Sequence, residues 1–334
     1  MMSNSKRRLG RSMGGRFAAV VIFLLSAGSL QGQTKAVRGA RNPAEAGPNR
    51  PASVPAGYWI TPFGYFHPSC VRSVEDGETL LADGRVRHAN GNVDARAPVC
   101  GHPQYTRTGL IVPPDMKGET ERRNPAINGW LESIQTITDT SYGKLSATWT
   151  VPPAPTNPQN GQTLFFFPGF EATVEWLSIL QPVLQWYPHG PWQMSSWNCC
   201  MQGTVWHSVP KKVSPGDTLL GTITPTCKPG SNYCETWTIV TKDLTTGKKS
   251  VLKKTPSEGQ VWNWAFAGVA EVYGVRECGD FPANHGVVFT VQLYDQNRQL
   301  IADPGWFPHA ADPDTDPSCS YGLDITPTVE TVSY

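Results

Sequence analysis

The amino-acid sequence predicts an all-β fold in which two antiparallel sheets pack face to face. The 334 residues include 32 Gly and 30 Pro, so few windows longer than about ten residues are free of a helix-breaking residue. Short segments of β-forming residues, separated by turn residues, recur through the second half of the chain. Strands at this spacing are typical of a β-sandwich.

The clearest strand is predicted at residues 144–151, where polar and apolar residues alternate with the period of two expected for a half-buried strand. A hairpin turn is predicted at residues 244–248, because Gly247 can adopt the positive φ angle that such a turn requires. The other predicted strands are residues 163–167, 175–186 with an interruption at Pro182, 217–226, 233–244, 249–254, 261–275 and 287–295.

The N-terminus has the composition of an export signal. Basic residues precede an apolar run at residues 17–30, and no acidic residue occurs before Glu45. This pattern predicts a signal peptide at residues 1–32 and a secreted protein without a membrane anchor after cleavage. Residues 33–57 are predicted to be a flexible linker and residues 126–334 the catalytic β-sandwich. Residues 58–125 are interpreted as an accessory segment or propeptide, or alternatively as the first hairpins of the sandwich.

Export makes the eight cysteines informative, because an even number of cysteines in an oxidising compartment indicates disulfides. Eight cysteines allow about a hundred connectivities, so the sequence does not select one. The expected pairs are Cys70 with Cys100, Cys227 with Cys234, and Cys199 and Cys200 with Cys278 and Cys319.

Cofactors and charged partners are not expected. No pair of cysteines has Cys-x-x-Cys spacing and the histidines are scattered, which argues against a zinc site. The 28 Lys and Arg nearly balance the 27 Asp and Glu, so the net charge of +1 gives no attraction to nucleic acid or to an anionic membrane. A monomer acting without a metal or cofactor is expected.

Glu271 is the most conspicuous candidate functional residue, because small and apolar residues precede it in a predicted strand. A carboxylate taken partly out of water can accept and return a proton when its surroundings adjust its pKa. The alternative is a structural carboxylate held by hydrogen bonds, which is the common fate of buried acidic groups.

Seven short pieces of the chain resemble, in the same order, the eqolisin-type glutamic peptidases. The resemblance covers about residues 127–295. The pieces are Leu-Ser-Ala-Thr-Trp-Thr-Val-Pro at 145–152, Pro-Gly-Phe-Glu at 168–171, Ile-Leu-Gln at 179–181, Ser-Trp at 196–197, Val-Ser-Pro-Gly-Asp at 213–217, Asp-Leu-Thr-Thr-Gly-Lys at 243–248 and Ala-Glu at 270–271.

This resemblance implies a lectin-like jelly-roll sandwich that hydrolyses polypeptides. By motif position it implies that Glu271 activates a water molecule and that Gln181 orients the water and donates to the oxyanion. Phe167 and Glu171 stand where the family has a tryptophan and an aspartate beside the site, and Trp197 keeps a family tryptophan. These three residues are therefore expected to contact the substrate.

Two other functions remain open on sequence grounds. One is a carbohydrate-binding sandwich without catalysis, with five tryptophans that could stack on sugars. They are Trp149, Trp186, Trp192, Trp197 and Trp206. The other is a glycoside hydrolase that uses two carboxylates from among Glu171, Glu175 and Glu271.

Overall fold

The computed structural model describes residues 50–112, 129–173, 178–201, 203–257 and 259–334. Among these residues there are 22 strands, two short 3₁₀ turns and no α-helix, and no helix could span a membrane. The 3₁₀ turns are Pro68–Cys70 and Cys278–Asp280.

The strands, in chain order, are β1 (Trp59–Thr61), β2 (Gly64–Phe66), β3 (Val71–Val74), β4 (Thr79–Leu80), β5 (Val86–Arg87), β6 (Gln104–Tyr105), β7 (Ile111–Val112), β8 (Gly129–Ile137), β9 (Lys144–Thr150), β10 (Thr163–Glu171), β11 (Ile179–Trp186), β12 (Gln193–Met201), β13 (Thr204–Ser208), β14 (Lys211–Lys212), β15 (Thr218–Pro225), β16 (Thr236–Asp243), β17 (Lys249–Pro256), β18 (Trp264–Tyr273), β19 (Gly286–Tyr294), β20 (Phe307–His309), β21 (Gly322–Ile325) and β22 (Val329–Ser333).

Two large sheets form the sandwich. The nine-stranded sheet has the order β20-β8-β18-β10-β11-β12-β13-β3, with β14 also paired to β12. The seven-stranded sheet has the order β17-β16-β15-β9-β19-β22-β21. Neighbouring strands are antiparallel except for β13 and β3, which pair in parallel. The predicted two-sheet antiparallel sandwich is therefore confirmed, while the jelly-roll description stays a prediction.

The alternating sequence patterns produce the layered core. In β9 the apolar residues Leu145, Ala147 and Trp149 are buried, and the polar residues between them are more exposed. Strand β16 alternates in the same way, so each strand presents one apolar face to the opposite sheet. The large cluster between the sheets contains residues of both, and we call it the inter-sheet core.

Strand β11 runs through Pro182 without the interruption that the sequence suggested. Pro182 cannot donate a backbone hydrogen bond, which normally excludes proline from a central strand. Here the paired register of β10 and β11 has a gap around Pro182, between the pairs Phe166–Leu184 and Phe170–Leu180. Because β10 and β11 are not paired at this gap, β10 does not need the backbone hydrogen bond that Pro182 cannot donate.

Gly221 allows the two sheets to approach closely beside Pro182. A Cβ atom at Gly221 would lie 2.6 Å from Cγ of Pro182 and 2.9 Å from the Trp149 ring. We expect Gly221→Ala to lower the free energy of unfolding by about 1–3 kcal/mol, because the buried neighbours must move apart. Urea unfolding would measure this change. Gly322→Ala is the matched control, since no atom lies within 4 Å of its added methyl group, and an equal effect at both positions would contradict the packing argument.

Residues 50–112 lie against the outer face of the nine-stranded sheet, the face directed away from the seven-stranded sheet. Strands β1, β2, β6 and β7 form a small sheet of their own, and β3 extends the large sheet by pairing with β13. A second apolar cluster, which we call the outer cluster, joins this segment to the large sheet. Val54, assigned to the linker in the sequence, is buried in it. The predicted signal peptide, most of the linker and the boundary at residue 125 lie outside the described residues.

The disulfides agree with the predicted connectivity at one pair only. Cys70 is bonded to Cys100, as predicted, with their Cα atoms 5.4 Å apart. The expected cross-pairing of the other four was wrong, since the bonded pairs are Cys199–Cys200 and Cys278–Cys319.

Cys227 and Cys234 were predicted to be bonded and are instead free thiols. The Cys227 amide donates to Sγ of Cys234 at 3.0 Å, and burial together with the neighbouring Cys234 thiol raises the pKa of Cys227 to about 11. The short loop brings the two residues together, as expected, but they are not bonded, and the raised pKa keeps the Cys227 thiol protonated at neutral pH.

Candidate functional site

Glu271 lies near the end of β18, in a fully buried position on the outer face of the nine-stranded sheet. Three donors surround its carboxylate. Oε1 accepts from Nε of Arg107 at 2.9 Å and from the Tyr273 hydroxyl at 2.6 Å, and Oε2 accepts from Nε1 of Trp130 at 2.9 Å. Hydrogen bonds from a cation and neutral donors stabilise the charged form of a buried carboxylate.

Arg107 comes from the N-terminal segment, between β6 and β7, and its side chain is only 13% exposed. Its guanidinium carbon lies 4.7 Å from the centre of the Trp130 ring and 5.1 Å from that of Phe63. Stacking between aromatic rings suits the weakly hydrated guanidinium group. The ion pair with Glu271 is therefore largely removed from water.

Three tyrosines near Glu271 are held in the protonated form. Burial, followed by the negative charge of Glu271, raises the pKa of both Tyr273 and Tyr187 well above the ordinary value. The same two causes raise the pKa of Tyr65, and the charge of Arg50 opposes them. Tyr273 is consequently a permanent hydroxyl donor to Glu271 at physiological pH.

Gln181 lies on β11 and is also fully buried. Its Nε2 atom donates to the carbonyl oxygen of Pro62 at 3.1 Å, and its Oε1 atom has no hydrogen-bond partner among the described residues. The Pro62 carbonyl belongs to the tight connection between β1 and β2. The side-chain amide of Gln181 thus binds a backbone carbonyl of the N-terminal segment.

Glu271 and Gln181 share the outer face of the sheet, with β10 between their strands. On β10, Phe165 pairs with Glu271 of β18 on one side and with Gln185 of β11 on the other. Gln181 lies four residues before Gln185 on β11. With about 4.8 Å between strands and about 3.3 Å per residue, the Cα atoms of Glu271 and Gln181 are roughly 16 Å apart. The turn between β1 and β2 contacts both positions, through the Pro62 carbonyl at Gln181 and through the Gly64 amide at Tyr273, which donates to Glu271.

The other predicted contact residues occupy different parts of this face. Phe167 is fully buried and packs edge to face against Trp130, at 6.3 Å between ring centres. Trp197 is fully buried, donates to Oε1 of Gln185 at 3.1 Å and packs on His207. Glu171 lies at the end of β10, level with Trp264. Phe167 therefore borders the Glu271 site, whereas Glu171 is distant from it.

Four contributors to the site were not identified in the sequence. Trp130, Tyr273 and Arg107 hold the carboxylate, and Gln185 is level with it. Tyr273 could have been inferred, since residues two apart on a strand share a face. Arg107 is 164 residues from Glu271 along the chain, and no local pattern connects them.

His207 is unsuited to serve as a catalytic base at neutral pH. It is buried beside Trp197, and its Nδ1 atom lies 3.0 Å from the Ser208 carbonyl oxygen. Burial lowers the pKa of His207 to about 4, against the opposing effect of that hydrogen bond. The ring is neutral and forms part of the packed outer face.

The structure removes the basis of the sugar-stacking prediction. All five tryptophans proposed for it are buried, at 5% exposure or less. Four of them, Trp149, Trp186, Trp192 and Trp206, lie in the inter-sheet core, and Trp197 lies in the outer cluster.

The paired carboxylates of a glycosidase are also not formed by Glu171 and Glu271. On β10, Glu171 is six residues from Phe165, the residue level with Glu271. At about 3.3 Å per residue this is roughly 20 Å, whereas the two-carboxylate mechanisms need at most about 9.5 Å. Glu175, the third candidate, lies outside the described residues.

The chain is similar to solved structures of glutamic peptidases. Scytalido-glutamic peptidase, solved with a peptide-based transition-state analogue, matches with 18% identity and a TM-score of 0.45, over 62% of this chain and 98% of that one. SCP-B, a member of the eqolisin family solved with the tripeptide Ala-Ile-His, matches with 17% identity and a TM-score of 0.44 over the same shares. A CBM2 module of the evolved Dit protein of Lactobacillus casei BL23 phage J-1 matches with 9% identity and a TM-score of 0.24, over 40% of this chain and 63% of that one. No family model and no curated protein matches the chain.

Proposed function

We propose that this protein is a secreted glutamic-type endopeptidase. Glu271 is the general base that takes a proton from the attacking water and then returns it to the leaving nitrogen. Gln181 donates its amide N–H to the carbonyl oxygen that becomes the oxyanion. The hydrogen bond from Gln181 to the Pro62 carbonyl carries this proposal, because it is a contact with a peptide group.

The surroundings of Glu271 support its role as a base. Trp130 and Tyr273 are neutral donors, and both would still orient the carboxylate after Arg107 is removed. A peptide lying across the outer face would bring its carbonyl to Gln181, and the attacking water would lie on the Glu271 side of that carbonyl. The order of the seven sequence pieces that resemble the eqolisins supports the same reaction class.

The expected partner is an unfolded polypeptide, and the expected location is extracellular. Three disulfides are consistent with an oxidising compartment. The protein is expected to act as a monomer without a metal or cofactor, because both proposed catalytic groups belong to one chain.

Peptide release from denatured casein between pH 3 and 7 tests the function. The intact chain and the Arg107→Ala variant should both be assayed, because Arg107 occupies the carboxylate in the structure. Soluble polysaccharides serve as the comparison substrates. Peptide release without sugar release is the expected result, and absence of peptide release by both proteins would refute the proposal.

The choice of Gln181 over Gln185 can be tested in the Arg107→Ala background. We expect Gln181→Ala to reduce kcat by about 10²–10³, the usual cost of removing an oxyanion donor. Gln185→Ala is the matched control, because it changes the same residue type on the same strand and face. A larger loss for Gln185→Ala would transfer the role to Gln185, whose Nε2 atom is buried and has no partner among the described residues.

A further inference from the structure

We infer that the N-terminal segment, residues 50–112, is an intramolecular inhibitor that binds the outer face in the manner of a peptide substrate. This inference depends on the proposed function, since it identifies what regulates the same site. Three observations support it: the backbone contacts of one turn, the position of Arg107, and the absence, among the described residues, of a disulfide between the segment and the sandwich.

The turn between β1 and β2 is fixed at both ends by residues of the proposed site. The carbonyl of Pro62 accepts from Gln181 at 3.1 Å, and the amide of Gly64 donates to the Tyr273 hydroxyl at 2.8 Å. A backbone carbonyl and a backbone amide two residues apart are also groups that a bound peptide offers. The turn therefore occupies the space in which a substrate backbone would have to lie.

Only glycine fits the end of this turn. Gly64 has a φ angle of +104°, and a Cβ atom there would lie 2.4 Å from the Tyr105 carbonyl oxygen. Both the positive φ angle and the contact disfavour any larger residue. The close approach of β2 to β6 thus keeps the Pro62 carbonyl on Gln181.

Arg107 blocks the chemistry as well as the space. Its Nε donates to Oε1 of Glu271, the oxygen that also accepts from Tyr273, while Trp130 occupies Oε2. A carboxylate paired with a buried guanidinium is a poor proton acceptor, because protonating it would leave the cation without its partner. The segment can therefore lie across the site without being hydrolysed.

A buried ion pair, such as Arg107 with Glu271, would be an unusual contact for a segment that only covers the outer face of the sheet. Replacing a buried pair by apolar residues is often neutral or stabilising. The rest of this interface is largely apolar, with Phe63, Tyr65 and Phe66 packed against Phe165 and Val269 in the outer cluster. A carboxylate beneath that cover is explained by chemistry that takes place once the cover has left.

The bonded cysteines are compatible with release of the segment. Cys70–Cys100 lies wholly within the segment, and Cys199–Cys200 and Cys278–Cys319 lie wholly within the sandwich. Among the described residues no disulfide joins the two parts. Noncovalent contacts and the pairing of β3 with β13 hold the segment in place.

The test measures access to Glu271 separately from activity. Full-length wild type, Arg107→Ala, Gly64→Ala and Arg87→Ala are treated with a small aryl epoxide that esterifies carboxylates, and Glu271 labelling is followed by peptide mass spectrometry. We expect labelling at least tenfold faster in Arg107→Ala and Gly64→Ala than in wild type. Arg87 is exposed in the same segment, so Arg87→Ala should label like wild type. Gly64→Ala retains the Arg107 and Glu271 side chains and provides a second variant if Arg107→Ala does not fold.

Casein hydrolysis by the same four proteins separates the two proposals. Faster labelling with faster hydrolysis in the two site variants supports both. Faster labelling of the two site variants, without casein hydrolysis by any of the four proteins, would show that the segment covers Glu271 and would refute the peptidase proposal. Hydrolysis by wild type with equal labelling of all four proteins overturns the inhibitor and leaves the peptidase intact. Equal labelling without hydrolysis overturns both.

Discussion

Replacing Glu271 by glutamine in the Arg107→Ala background is expected to reduce casein hydrolysis roughly 10³-fold, within the range for loss of a positioned general base. Glutamine has nearly the shape of glutamate and still accepts a hydrogen bond through Oε1, but it cannot take a proton from water at neutral pH. The measurement is the ratio of kcat values for Arg107→Ala and for the double variant Arg107→Ala, Glu271→Gln. The Arg107→Ala background is used so that the ion pair does not obscure the chemical step.

Glu330→Gln in the same background is the matched control. Glu330 is also a glutamate with no exposed surface, but it lies on β22 of the seven-stranded sheet, away from the proposed site. Its replacement should leave kcat within about twofold, because Glu330 lies in the opposite sheet from Glu271 and Gln181. If the Glu271→Gln double variant keeps more than about a tenth of the activity, Glu271 is not the base.

A loss of activity could also arise from a disturbed fold, so the melting temperature accompanies each assay. In Glu271→Gln one amide hydrogen must face either the Tyr273 hydroxyl or Nε1 of Trp130, and the latter can only donate. That mismatch lowers stability without unfolding a sandwich of this size. A folded, inactive double variant beside a folded, active control assigns the loss to chemistry.

The layered fold was predictable because its pattern is local. Alternation in β9 and β16 determined which residues face the core, and Gly247, with a φ angle of +78°, closes the hairpin from β16 to β17 as predicted. Burial of Glu271 on β18 was also visible from its apolar neighbours. Properties that depend on residues within one strand or one turn can be inferred from the sequence.

The arrangement of the site was not predictable because its contacts join distant segments. Arg107 reaches Glu271 across 164 residues, and the Pro62 carbonyl reaches Gln181 across 119. The four-residue offset between Gln181 and the level of Glu271 follows from the registers of β10 with β11 and β18, including the bulge near Phe167 and Gly169. No local periodicity encodes the register between strands that are far apart in sequence.

Glu271 and Glu330 are both fully buried, but they differ in a way that leads to a second large effect. Three donors hold the Glu271 carboxylate, whereas neither oxygen of Glu330 has a hydrogen-bond partner among the described residues. Burial raises the pKa of Glu330 from 4.5 to about 8, and the nearby Thr326 amide offsets only part of this effect. Glu330 is thus protonated in the folded protein at neutral pH and ionised in the unfolded chain.

The sign of the pH dependence follows from that difference. The raised pKa favours folding most below pH 4.5, where both states hold the proton, and this contribution is lost as the pH rises through about 8. Glu330→Gln removes the titration, so the variant should gain stability relative to wild type by about 1.4 kcal/mol per pH unit in this window. Between pH 5 and pH 8 the gap should widen by roughly 3–4 kcal/mol.

Urea unfolding of wild type and Glu330→Gln at pH 5, 6, 7 and 8 measures this gap. All other titrating groups are common to the two proteins, so their contributions cancel in the difference. Glutamine places an unpaired amide in the same pocket, which shifts the difference by a constant amount without changing its slope. A difference that stays constant from pH 5 to pH 8 would mean that Glu330 ionises alike in the folded and unfolded chains, contrary to its burial without partners.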